Sequence, residues 1–139
     1  MAQPSTIYKP GKLNYVWNYI GTTLKEFKAK LLGYRTYTAI ISQSGTSDPV
    51  AIVLENNLGQ DIVWTYDAVG VYIGTATGLF VNANKITVIC SETNAGDILG
   101  YAVVYRQSDN RIIIQTFDTA FSAADGVLGS TMLEVRIYL

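Results

Sequence analysis

The chain contains no histidine. That absence removes the commonest general base, the commonest zinc ligand, and every Ser–His or Cys–His nucleophilic pair. Cysteine is nearly missing as well. With Cys90 alone there is no intrachain disulfide and no thiolate cluster for zinc. Cys90 lies in a strand-like run, Lys85 to Ser91, where a small buried apolar side chain is expected and a reactive thiol is the rival reading. No stretch approaches the roughly 18–20 apolar residues of a membrane-spanning helix. The N-terminus lacks the charged start and apolar run of a secretory signal, so the chain is read as soluble and made in a cytoplasm. No glycine loop has the spacing that cradles phosphate. The pattern excludes several enzyme classes before it suggests any function, and no catalytic residue, metal ligand or cofactor is expected.

What is present is unevenly placed. Lys9, Lys12, Lys25, Lys28, Lys30 and Arg35 lie in the first 35 residues beside a single acid, Glu26. The remaining 104 residues hold four basic groups (Lys85, Arg106, Arg111, Arg136) and ten acids. A net charge of −1 therefore conceals a basic arm joined to an acidic body, and such asymmetry suggests that the two parts meet different surroundings. The length suits one domain. Apolar residues make up 49% of the chain, enough for a core. The ten tyrosines, with many Val, Ile and Thr, favour strands, and glycine outnumbering proline twelve to three suits tight turns.

The first ten residues, with Pro4 and Pro10, are expected to lack regular structure. Over residues 11–20, Leu13, Tyr15, Trp17 and Tyr19 alternate, which suggests a strand that adds to a neighbour's sheet. Val16 and Ile20, four apart, favour a short helix instead. Thr23 and Glu26 have capping-box spacing, and Leu24, Phe27 and Leu31 follow at helical spacing. A helix is predicted over 22–32, stopped by Gly33. So short a helix must pack on the body, on a copy of itself, or on a partner. From Tyr34 the pattern predicts strands over 34–43, 50–56, 61–66, 69–77, 85–91, 100–107, 111–118 and 131–139, with Leu133, Val135 and Ile137 facing inward. The expected fold is all-β: an antiparallel β-sandwich or jelly-roll-like domain of about eight strands over 34–139, preceded by an arm over 1–33.

The strand through Gly70, Tyr72, Gly74, Ala76 and Gly78 has an almost bare face. Interior strand glycine suggests close approach of something else. A bent or bulged strand, a subunit contact and a ligand groove all fit, and Gly70, Tyr72, Gly74 and Gly78 are the candidate oligomer interface. The acids Asp48, Asp97, Asp109 and Asp125 sit in predicted turns, where solvated side chains are expected rather than catalytic acids or a calcium site. In the arm, Lys9, Lys12, Tyr15, Trp17, Tyr19, Lys25, Phe27 and Lys28 are the candidate partner-anchoring residues. A protein partner or a sister subunit fits them best, a plain solvated face next. The acidic body and dilute charge disfavour nucleic acid or a membrane surface.

The run from Tyr37 to Gly59 (YTAIISQSGTSDPVAIVLENNLG), with Val63-Trp-Thr65 and Gly70-Val-Tyr-Ile-Gly-Thr-Ala-Thr-Gly-Leu-Phe80, resembles short β-rich structural proteins of tailed bacteriophages. The resemblance spans roughly residues 36–139 and leaves the arm outside it. It implies a capsid decoration or a head- or tail-fibre component, held by its N-terminus and often trimeric, with other virion proteins as partners. It brings no catalytic or binding residues to carry over. The expectation is a non-enzymatic virion protein, assembled in the host cytoplasm. The alternative is a lectin-like carbohydrate-binding module in which Trp64, Tyr66 or Tyr72 would stack on sugars.

Overall fold

The computed structural model describes residues 10–91 and 100–139, with side chains from residue 16 onward. One helix, α1 (Pro10–Leu32), precedes eight strands: β1 (Tyr34–Ser42), β2 (Val50–Asn56), β3 (Val63–Ala68), β4 (Val71–Thr75), β5 (Ile86–Cys90), β6 (Gly100–Ser108), β7 (Arg111–Asp118) and β8 (Thr131–Tyr138). Each of the eight predicted strands is present, and β2 and β7 have the predicted limits. The strands form two four-stranded antiparallel sheets, ordered β2-β1-β8-β5 and β3-β4-β7-β6. The all-β sandwich is thus established.

The two sheets bury one face each, as period-2 strands require. Tyr37, Ala39 and Ile41 of β1 and Leu133 and Val135 of β8 come from the first sheet. Trp64, Tyr72, Ile112 and Ile114 come from the second, with Leu58, Phe80 and Leu128 closing the ends. Ile137 packs against this core with Leu133 and Val135, as their alternation predicts. Cys90 is half-buried beside the same cluster, and burial pushes its thiol pKa up. It therefore behaves as a small packing residue rather than as a thiolate.

The glycine-bearing strand needs correction. Its small-residue face points into the sandwich and not toward a second subunit. Tyr72 is 0% exposed, and Gly74 is buried beneath Trp64 and Ile62. A Cβ at Gly74 would lie 2.8 Å from the Trp64 ring, so the missing side chain is what lets the indole lie across β4. Gly70 is buried with φ +66 at the β3–β4 turn, where a Cβ would meet the Thr116 carbonyl. Gly78 is exposed in a turn with φ +64. These positions answer to internal packing and turn geometry.

Asp125 departs from expectation too. It is a half-buried tether rather than a solvated turn acid. Its Oδ1 accepts from the Gly70 amide at 2.7 Å and from the Tyr72 hydroxyl at 3.4 Å, and its Oδ2 accepts from the Tyr66 hydroxyl at 3.2 Å. Buried Gln43 joins the same network. Its Oε1 accepts from the Tyr72 hydroxyl at 2.9 Å and from the Gly126 amide at 2.8 Å. These bonds pin the long 119–130 loop to both sheets. Asp48 accepts from the Tyr66 amide and Asp109 pairs with Arg106, so both also serve turns. Asp97 lies outside the described residues.

Candidate interaction surfaces

The helix is longer than its predicted core of 22–32. It begins at Pro10, whose fixed φ and missing amide suit a first helical turn. Residues 11–20 are therefore helical, and the strand reading of that segment is overturned. Thr23 does not cap. It sits mid-helix and donates its hydroxyl to the Tyr19 carbonyl at 2.9 Å, as Thr22 does to Asn18 at 3.0 Å. The helix ends where expected. Gly33 takes φ +77 and donates its amide to the Ala29 carbonyl at 2.8 Å. The next residue opens β1, so helix and sandwich share a one-residue joint. The Leu139 amide reaches the Gly33 carbonyl at 3.0 Å, which ties that joint to the end of β8.

The helix touches the body along a thin line. Ala29 is its one buried residue among those described, and Lys28 pairs with Glu55 of β2. Beside this contact a cleft of about 460 Å³ opens between Thr22, Lys25, Glu26 and Ala29 on α1 and Arg35, Asn56, Asn57 and Gly59–Asp61 on the body. Its charges come in both signs, Lys25 and Arg35 against Glu26 and Asp61, so no concentrated field draws one kind of ion there.

The opposite side of α1 is apolar and open. Trp17 is 66% exposed, Phe27 65% and Leu31 75%, with Leu24 and Ile20 beside them. Among the anchoring candidates, the structure thus brings Trp17 and Phe27 onto one face. Tyr19 is exposed on another side of the helix. Lys28 is turned to the body and Lys25 to the cleft. Lys12 and Tyr15 are in α1, but their side chains lie outside the described residues, as does Lys9 altogether. Ile20, Leu24 and Leu31, absent from the predicted anchor set, complete the face. Their 3–4 spacing with Trp17 and Phe27 was visible in the sequence but competed with the alternating aromatics of 13–19.

A second surface is the outer face of the sheet β3-β4-β7-β6. Tyr101, Val103 and Tyr105 project from β6, and the Tyr101 ring stacks on Phe121 with centroids 5.2 Å apart and planes 1° from parallel. Phe121 takes φ +62, a conformation non-glycine residues seldom adopt, and is 75% exposed. The aromatics proposed for sugar stacking lie elsewhere. Trp64 and Tyr72 are buried, and Tyr66 is half-buried with its hydroxyl on Asp125. Burial first, then Asp125, raises the phenol pKa of both Tyr66 and Tyr72, except that for Tyr72 a bond from Thr116 between them opposes the rise.

Among the described residues no helix is long and apolar enough to cross a membrane, and no group of three or more His, Cys, Asp or Glu could hold a metal ion. No family model, curated protein or solved structure matches the chain.

Proposed function

We propose that this chain is a non-enzymatic structural protein of a bacteriophage particle, either a capsid decoration or a head- or tail-fibre component. The arm, residues 1–33, attaches it to other virion proteins, and the acidic sandwich faces outward. The chain works as a homo-oligomer, a trimer in the favoured arrangement, and needs no cofactor. The observation that carries this reading is the open apolar face of α1. The sandwich completes its core without any residue of α1, so the helix serves contacts outside its own chain. The resemblance of residues 36–139 to β-rich phage structural proteins supports the setting. An antibody against the sandwich should label gradient-purified phage particles that carry the full chain, and a chain lacking residues 1–33 should stay at the top of the gradient. Full-length protein absent from particles, or truncated protein incorporated normally, would refute the reading.

The Tyr101–Phe121 stack favours one alternative, a carbohydrate-binding module for adhesion to a host surface. Two exposed aromatics offer flat apolar surface of the kind sugars stack on. Saturable binding to a glycan array, lost in Phe121→Ala, would establish that alternative. No saturable binding on such an array would remove it.

A further inference from the structure

The open face of α1 has a period, and the period specifies its occupant. Trp17, Ile20, Leu24, Phe27 and Leu31 follow one another at intervals of 3, 4, 3 and 4 residues. At about 100° per residue they fall within a stripe about 80° wide, nearly opposite Ala29. This is the a/d seam of a coiled coil, with Trp17, Leu24 and Leu31 at a and Ile20 and Phe27 at d. The body contact runs through Ala29, nearly opposite the seam, and through Lys28 on its e flank, and it leaves all five seam residues exposed.

We propose that this seam packs against the same seam of at least two sister chains, making a parallel helical bundle with the sandwiches arranged around it. The proposal rests on the reading of α1 as the assembling element and names what that element binds. Three observations favour a second copy over an unrelated protein. The seam carries no charged residue. In parallel register a g position faces the following e position of its neighbour, which here pairs Val16 with Gly21 and Thr23 with Lys28; the third g position, Lys30, would face position 35, beyond the end of α1, so no like charges meet within the helix. Lys28, the e-position base, is already paired with Glu55 of its own chain. Two of the three a positions are leucine and one of the two d positions is isoleucine, and leucine at a with isoleucine at d favours three or four strands over two. An isolated helix with Gly21-Thr22-Thr23 at its middle is a poor helix former and needs packing along its length.

Sedimentation equilibrium of the full chain should give three or four copies. The double variant Leu24→Asp, Leu31→Asp should be monomeric, with the strand circular dichroism and thermal midpoint of the sandwich unchanged, because both positions are exposed. Lys25→Asp, behind the seam, should keep the assembly. In a Cys90→Ser background, Leu31→Cys should oxidise to a self-linked dimer within the bundle, as parallel register requires. A monomer or dimer at 100 µM, an oligomer that survives the double variant, or failure of Leu31→Cys to self-link would each overturn the proposal. A bundle that never enters particles would leave this inference standing and refute the virion reading. A monomer that labels particles would do the reverse.

Discussion

The sandwich and the helix treat the same kind of residue in opposite ways. In the sandwich, Leu133 and Val135 are fully buried, and Trp64 lies in a space that Gly74 leaves open. On α1, Leu24, Phe27 and Leu31 lie open to solvent. Apolar area hidden within a chain stabilises that chain at any concentration. Apolar area left outside stabilises only what comes to cover it. The core cluster of the first region takes no residue from α1, and the second region leaves its apolar residues in solvent.

The comparison breaks most directly on two leucines. Leu133→Ala should cost about 2–5 kcal/mol of unfolding free energy, because the lost methyl groups leave a cavity between the sheets. Leu31→Ala should leave the sandwich within about 0.5 kcal/mol of the parent in urea titrations below the assembly concentration. Equal losses would mean that α1 belongs to the core. Gly74→Val tests the same boundary from inside. The new methyl groups would strike the Trp64 ring, so the variant should lose about 1–3 kcal/mol of fold stability in the monomer itself. If it dissociated an oligomer without touching the monomer, the inward placement of this face would be wrong.

A smaller effect should follow pH. The Tyr72 phenol titrates above its ordinary value of 10.0, because burial disfavours the phenolate. The folded state therefore holds this proton more tightly than the unfolded chain. The resulting stability is complete below pH 10, and it drains away as pH rises through the folded value. Denaturation midpoints should stay level from neutral pH to about pH 9 and fall above 10, and Tyr72→Phe should flatten that fall. The smallest effect belongs to the Lys28–Glu55 pair. Both partners are well exposed, so a double-mutant cycle should give about 0–1 kcal/mol, shrinking with salt.

The sandwich was legible because its strands alternate and its turns carry Gly, Asn and Asp. In β8 the alternation Leu133, Val135, Ile137 named the inner face correctly. In β4 the same alternation did not. Small residues on a strand face show that something comes close, not what does, and Trp64 lies in another strand. Asp125 was unreadable for a related reason. Its partners Gly70 and Tyr72 are more than fifty residues away, and nothing local separates a tether from a solvated turn acid. The first half of α1 was obscured by two periods superposed. Tyr15, Trp17 and Tyr19 alternate like a strand, while Trp17, Ile20 and Leu24 repeat like a helix. Phe121 carried only the faint signal of one aromatic among small residues.

The joint at Gly33 also sets how the molecule bears load. A pull on α1 passes through one residue into β1, and β1 is an inner strand held on one side by β2 and on the other by β8. The part of that force directed along β1 cannot peel bonds away one at a time. It must shear both antiparallel ladders together, and the Leu139 amide on Gly33 adds a bond at the point of entry. Tension is thus delivered to the interior of the sheet rather than to an edge, an arrangement that lets a tethered body resist drag without a disulfide.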